Sequence, residues 1–429
     1  MDATTLQTNW AGNLTYRASA WRRPGSVAEV QDLVACSERI GVIGTRHSFN
    51  GLADTGGVML SLERLGGMVL DGQAGTVTVE AGVRYGELGE FLHRQGHALH
   101  NLASLPHISV VGACMTATHG SGDRLPCLAA AVTALDLVTA GGELLTLSRE
   151  EHGEAFAGMV VSLGALGVVT RMTLALEETY HVRQEVYEHL PFPTAEVHLA
   201  ALFAAAESVS LFTDWQEPRF HQVWLKRRVA AGSTAPLPTT HFGATAALAD
   251  CHPLPGLPAA HCTPQQGVPG PWHERLPHFR LDHTPSQGEE LQSEYFVPRA
   301  QAAAALRAVL ALGNQFASLL LVSEVRTVAA DDLWLSPAYR RDSLALHFTW
   351  RRDERAVRAV LPALEEALAP FGARPHWGKV FTLSPAHLTA LYERLPDFRQ
   401  LLERHDPGGK FRNPFLNRYI FGEAGVGPV

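Results

Sequence analysis

Residues 41–51 read Gly41-Val42-Ile43-Gly44-Thr45-Arg46-His47-Ser48-Phe49-Asn50-Gly51. Two branched aliphatic residues between glycines predict a short buried strand that runs into a tight loop, because glycine lets the backbone bend and approach its neighbours closely. The flanking chain predicts an α+β arrangement of many short elements over the first 180 residues. Upstream, Ser26 with Glu29 three positions on forms a capping box ahead of the apolar stripe Val27, Val30, Leu33 and Val34, a helix over 24–40. Downstream, Thr76-Val77-Thr78-Val79-Glu80 alternates as a strand does, and a helix over 85–94 stops at Gly96. Residues 134–148 predict a hairpin turning at Gly141-Gly142, and 167–176 a further strand.

The chain is 429 residues long, more than one compact core accommodates, so two domains are expected. With 46% hydrophobic and 18% charged residues it has the composition of an ordinary globular protein. A formal net charge of -8 disfavours nucleic acid and anionic lipid surfaces as partners. The cysteines Cys36, Cys114, Cys127, Cys251 and Cys262 are odd in number and none are spaced C-x-x-C, which argues against a disulfide framework or a thiolate metal site and for a reducing compartment. Met1 to Ala20 is polar and lacks the apolar core of a signal peptide, and the apolar runs 159–169 and 316–322 are too short to span a membrane, so a cytoplasmic location is expected.

After Tyr180 the character changes. Residues 229–290, rich in Pro, Gly, Ala and His, predict long loops. An Ala-rich helix is expected over 298–312, strands over 319–327 and 343–350, and helices over 354–369 and 386–404.

Gly-rich stretches also occur at 112–122 and 164–167. The former, Gly112-Ala113-Cys114-Met115-Thr116-Ala117-Thr118-His119-Gly120-Ser121-Gly122, would let backbone N–H groups come close to a pyrophosphate. No G-x-G-x-x-G lies between a strand and a helix, so a nicotinamide-binding Rossmann domain is disfavoured. His47, in a loop after a strand, can attack an activated methyl carbon of a flavin if its imidazole is neutral; on residues alone, a loop histidine satisfied by hydrogen bonds is the other reading. Cys114 reads as a small buried thiol. His93, His97 and His100 have the spacing of metal ligands, but Gly96 interrupts the helix, so exposed helix-end histidines and no metal are expected.

In Ser323-Glu324-Val325-Arg326-Thr327, Glu324 and Arg326 share one face of a strand; in 343–350, His347 and Thr349 share a face opposite Leu344, Leu346 and Phe348. Such a wall offers hydrogen-bond partners to a polyol, whose every buried hydroxyl needs one; an exposed polar sheet face is the alternative.

The loop at 44–49, the stretch Asn101-Leu102-Ala103-Ser104-Leu105-Pro106-His107-Ile108-Ser109-Val110-Val111-Gly112 and the run Thr118-His119-Gly120-Ser121-Gly122 resemble the FAD-binding half of the vanillyl-alcohol-oxidase superfamily. Asn9–Asn13, Leu211–Trp215, Gly267–Phe279 and His376–Phe381 extend the resemblance across nearly the whole chain, to the alditol (xylitol) oxidases within that superfamily. The resemblance implies a two-domain VAO/PCMH-type FAD-binding fold. Residues 1–180, completed by 380–429, would form the FAD-binding domain, and 181–379 a substrate-binding cap domain on an antiparallel sheet. It implies FAD attached covalently through His47, with contacts from Val42, Ile43, Gly44, Thr45, Arg46, Ser48, Ser104, Ser109, Gly112, Thr116, Ala117, Thr118, His119, Val169 and His376. Where the superfamily often has glycine before the linking histidine this chain has Arg46, which either meets the cofactor phosphates or faces solvent. Some relatives add a second flavin bond to a cysteine near position 104; Ala103-Ser104 here implies a single linkage.

By the same resemblance Ser104, Glu324, Arg326, Thr349 and Lys379 bind the substrate, and His347 is not carried over. Catalysis is expected from Lys379, Arg326 and Glu324: the two cations stabilise alkoxide charge, their proximity lowers the lysine's pKa so that it can act as a base, and Glu324 orients the chain hydroxyls. The expected activity is oxidation of the terminal hydroxyl of xylitol or sorbitol to the aldose, with oxygen reduced to hydrogen peroxide, by a monomer. Ala103 is small enough to leave oxygen room beside the flavin. The alternatives are a sugar-lactone (aldonolactone) oxidoreductase and a catalytically silent carbohydrate-binding relative.

Overall fold

The computed structural model describes residues 7–233, 236–282 and 288–423. The ends of the expected cofactor domain, residues 1–6 and 424–429, and parts of the expected 229–290 loops, residues 234–235 and 283–287, lie outside the described residues.

The Gly41 stretch forms the strand Ile40–Ile43, at one edge of a parallel three-stranded sheet with Val58–Ser61 in the middle and Ala20–Arg22 beyond. The preceding helix is Val27–Cys36, shorter than expected. Ser26 accepts from the Glu29 backbone N–H at 3.2 Å, but the Glu29 carboxylate turns to the Gly25 N–H at 2.8 Å rather than back to Ser26, so only half of the capping box forms. An antiparallel five-stranded sheet follows, ordered Met68–Asp71, Thr76–Glu80, Val168–Ala175, Val132–Val138, Leu144–Ser148. Its last two strands are the expected hairpin, with Gly142 at φ +88° in the turn.

From His181 onward the chain builds a ten-stranded sheet in which every pairing is antiparallel. Its centre runs His181–Pro191, Arg219–Val229, Ser208–Thr213, Leu320–Val328, Ser343–Arg351, Glu290–Pro298. Four of these six, the strands at 181, 208, 219 and 290, have no counterpart among the sequence expectations. Both faces of the sheet are buried and one of them is polar, so the apolar count that marks a strand is diluted by Gln184, Ser210, Gln222, Lys226 and Glu294, all buried. The apolar face carries Leu344, Leu346, Phe348 and Trp350, fully buried. Two helices cover it: Phe316, from helix Ala302–Phe316, meets Phe348 and Trp350 edge-on, and Glu365, from helix Glu354–Leu368, accepts from the Tyr295 hydroxyl at 2.8 Å. Truncating Phe348 or Trp350 to Ala would cost about 3–5 kcal/mol.

The C-terminal segment returns to the first sheet: Ile40 N–H donates to Lys410 O, Phe49 N–H to Gly378 O, and the Asn413 amide to Leu52 O and Asp54 O. The single helix expected over 386–404 is two helices, Pro385–Leu391 and Leu395–His405. Pro396, in the first turn of the second, would clash with the carbonyl of residue 392 in a continuous helix. His93, His97 and His100 are half-buried rather than exposed. The helix Tyr85–Arg94 ends before Gly96 (φ +82°), His97 lies in a short strand, and His93 bonds Thr179 Oγ1 at 2.8 Å.

Candidate active site

A cavity of about 830 Å³ separates the parallel sheet from the polar face of the large sheet. On one side the 40–49 segment supplies Val42, Ile43, Gly44, Thr45, Arg46, His47 and Ser48 to its wall. Ser109, at the start of the short helix Val110–Met115, holds that loop in place: its N–H donates to Thr45 Oγ1 at 3.3 Å. A Cβ on Gly44 would sit 2.5 Å from Ser109 Oγ and one on Gly112 would sit 2.8 Å from it, so both positions keep a bare backbone at the wall. Thr116 and Thr118 also line it, their hydroxyls 3.1 Å apart, together with His119, Val169, Ser104 and His376. Ala117, at φ +55°, turns the chain between the two threonines and is buried.

Arg46 also takes a left-handed backbone, φ +65°; its exposed guanidinium donates to Thr8 O at 3.2 Å. The neighbouring His47 imidazole stacks on Trp10 with ring centroids 5.1 Å apart. Both His47 ring nitrogens are buried, and burial takes the imidazole down to about 4 against the raising effect of the Thr45 backbone, so it is neutral at physiological pH. Cys114 is buried behind the wall, its thiol against the Tyr85 hydroxyl.

Opposite, three neighbouring strands present their polar faces. The ladder pairs Glu324 with His347 and His347 with Glu294; Thr349 lies opposite Gln292 and Val322. Alternation puts Glu324, Arg326, His347, Thr349, Gln292 and Glu294 on one surface, and all six line the cavity. Lys379 reaches the same wall from the turn after His376-Trp377-Gly378, where its N–H donates to His376 O.

Glu294 organises this surface and had no role in the sequence reading. Its Oε2 pairs with Lys379 Nζ at 2.9 Å; its Oε1 accepts from Arg326 Nη2 at 3.1 Å and faces His119 Nε2 at 3.2 Å. Burial alone would raise the Glu294 pKa, but Lys379, His119 and Arg326 together hold the carboxyl well below the usual range. The pattern Glu290-Leu291-Gln292-Ser293-Glu294 alternates polar and less polar residues and was the available signal.

Arg326 also donates to Ser104 Oγ at 3.3 Å, while Glu324 stands 3.6 Å from its Nε. Glu324 is likewise held far below the carboxylate range: burial would raise it, but Arg326 and His278 outweigh burial. The Lys379 pKa is lowered chiefly by burial, partly offset by Glu294, with Arg326 adding to the drop. The expected lowering by Arg326 is present, and burial contributes more.

Gly378 N–H donates to His376 Nδ1 at 3.1 Å, leaving that ring's proton on Nε2. His347, set aside in the sequence reading, bonds Gln292 Oε1 at 3.1 Å, and burial takes it down to about 3.

Among the described residues no cluster of His, Cys, Asp or Glu has the arrangement of a metal site, and no helix is long and apolar enough to cross a membrane.

Comparison with known proteins bears on both walls. An FAD-binding-domain family model matches residues 18–148, and a D-arabinono-1,4-lactone oxidase family model matches 280–419. The chain is 51% identical over 422 residues to an alditol oxidase of Streptomyces sp., covering 97% of this chain and 100% of that protein. It is 31% identical to an L-gulono-1,4-lactone dehydrogenase of Mycobacterium tuberculosis, covering 97% and 99%. A solved solvent-stable cholesterol oxidase superposes with a TM-score of 0.78 at 14% identity, covering 96% of each chain, which shows a shared two-domain fold.

Proposed function

Because the chain belongs to the alditol oxidase family, we propose that it oxidises the terminal hydroxyl of a polyol such as xylitol or sorbitol to the aldose, reducing oxygen to hydrogen peroxide. It is an FAD-dependent oxidase acting on alditols; the terminal position, the linkage and the residue roles below are our reading. The supporting observation is the Lys379–Glu294–Arg326 cluster on the wall of the cavity that His47 also lines.

The wall between Val42 and Ser48, with Ser109, Gly112, Thr116 and Thr118, fits a flavin nucleotide: glycines where Ser109 leaves no room for a Cβ, hydroxyls in pairs, and a buried neutral imidazole. Neutral His47 is the residue we assign to the covalent bond. Bound there, FAD supplies a two-electron acceptor for the hydride of the carbinol carbon. The protein's part is to bind the polyol and manage the hydroxyl proton. Ser104, Glu324 and Thr349 accept from or donate to the chain hydroxyls, fixing which carbon is presented. Arg326 and Lys379, anchored by Glu294, stand beside the reacting hydroxyl and stabilise alkoxide charge. Lys379, its pKa lowered by burial, takes the proton at Nζ once neutral.

We assign the cofactor half to 1–180 with 380–429 and the substrate half to 181–379, since the large sheet begins at His181 and its last strand ends at Pro375. Free thiols at all five cysteines suit a reducing, cytoplasmic compartment. The lactone-oxidase match over 280–419 supports one rival, an aldonolactone as substrate. The test is an absorbance spectrum of the acid-denatured protein followed by a peroxide assay with xylitol, sorbitol and aldonolactones. Yellow precipitated protein and peroxide from the alditols are expected; peroxide from lactones alone, or a colourless purified protein, would overturn the proposal.

A further inference from the structure

Behind Glu324, away from Lys379 and Glu294, lies a second buried chain of polar groups. Lys226, on the strand Arg219–Val229, is 1% exposed. Its Nζ donates to Leu276 O, to Pro277 O at 3.0 Å and to His278 Nδ1 at 3.1 Å. An ammonium has three N–H bonds, and three acceptors meet it. His278 Nε2 is 2.8 Å from Glu324 Oε1, and the His278 backbone N–H donates to Ser104 O at 3.0 Å. The ring is held edge-on by Trp224 and Phe212, with centroids 5.0 and 5.7 Å away. The residue therefore ties together Glu324 and Ser104, two residues assigned above to the polyol.

We propose that Lys226 and His278 are positioning residues for Glu324. Because the lysine occupies Nδ1 as an acceptor, the neutral imidazole carries its proton on Nε2, where it is donated to the Glu324 carboxylate. Without that donor the ring is free to take the other tautomer, proton on Nδ1 toward the Leu276 and Pro277 carbonyls, and an Nε2 lone pair then faces a carboxylate lone pair. Glu324 would then turn or take up a proton, and lose its acceptor role toward the polyol hydroxyls. The inference rests on the reading that Glu324 binds substrate.

The charged and titratable groups around Lys226 are His278, Glu324, Arg326 and the Cys262 thiol; burial lowers the lysine to about 7, with Glu324 and Cys262 opposing and Arg326 adding. Those facing His278 are Lys226, Glu324 and Arg326; burial first, then Lys226, takes it to about 4. Removing the lysine's charge therefore lets the imidazole protonate more readily, and a doubly protonated ring regains the bond to Glu324.

The test compares steady-state kinetics on xylitol for flavin-loaded wild type, Lys226→Met, Lys226→Met/His278→Gln and Glu324→Gln from pH 5.5 to 8. Losing a hydrogen bond to a charged group predicts a KM for K226M about tenfold above wild type at pH 6.5, where Lys226 is mainly the ammonium, with kcat nearly unchanged. The ratio to wild type narrows as the pH falls from there. In the double variant the glutamine amide donates to Glu324 whatever the pH, so KM returns close to wild type throughout. A K226M enzyme with unaltered KM, or a raised KM relieved neither by acid nor by H278Q, overturns the inference; a merely structural lysine would give the latter. Should K226M not accumulate as folded flavoprotein, His278→Asn, whose amide is too short to reach Glu324, must raise KM by a similar factor, and an unaltered KM refutes the proposal. If Glu324→Gln itself handles xylitol like wild type, the assignment of Glu324 fails and takes the inference with it; an impaired E324Q beside an unaffected K226M overturns the inference alone.

Discussion

Replacing Glu294 with Gln keeps the side chain's shape and removes a negative charge shared by Lys379, Arg326 and His119. Coulomb's law at an effective dielectric of about 20 gives about 6 kcal/mol for the pair at 2.9 Å and about 5 kcal/mol for the pair at 3.1 Å, before desolvation. Desolvation takes back several kcal/mol per ion, and breaking a buried pair from one side leaves about 3–5 kcal/mol of destabilisation, because two cations stay buried without their anion. Glu294 is depressed in the folded state, so its stabilisation is present above the unfolded carboxylate pKa of about 4.3 and is lost as pH falls through the lower folded value. The gap in melting temperature between wild type and E294Q should therefore be constant above pH 5 and close only in strong acid. In catalysis, displaced Lys379 and Arg326 predict a loss of about a hundredfold in kcat/KM. Glu294 opposes the burial that lowers the Lys379 pKa, so its removal lowers that pKa further. If Lys379 acts as the base, the acid limb of the pH–rate profile for anaerobic flavin reduction moves to lower pH. An E294Q enzyme that melts with wild type at pH 7, or whose acid limb stays in place while stability drops, would refute the argument.

Lys379→Met should keep full flavin content yet show no anaerobic bleaching with xylitol or sorbitol in stopped-flow absorbance; near-normal reduction would remove the lysine from the reaction. His47→Ala should release its yellow colour into the supernatant on acid precipitation, whereas colour kept in the pellet would place the bond elsewhere. Gly44→Val puts side-chain atoms where a Cβ already meets Ser109 Oγ at 2.5 Å, so purified protein should carry much less flavin per chain by absorbance, and full occupancy would show that the loop can shift.

The Gly41–Gly51 stretch, the 76–80 strand, the helix at 85–94 and the hairpin turning at Gly142 were legible because each carries a local signal: a period of two or 3.6, or a glycine where φ must be positive. The polar face of the large sheet was legible in part. Glu324 and Arg326, then His347 and Thr349, stand two apart on strands with strongly apolar partners. Glu294 and Lys226 lie on strands whose polar and apolar residues are both buried, and a lone carboxylate or ammonium in such a run reads as surface. His278 sits in a loop whose Gln265-to-Arg280 sequence has no periodicity to place it.

Read by itself, the sequence determined the types of the elements that carry a local pattern, the family resemblance and which face of each predicted strand is polar, since those properties follow from neighbours a few residues apart. Only the tertiary structure decided that Glu294 holds Lys379, Arg326 and His119 together and that Lys226 and His278 stand behind Glu324. These contacts join residues tens to well over a hundred positions apart. Their energies depend on burial and on distances of about 3 Å, typical of hydrogen bonds and ion pairs, which no local pattern specifies.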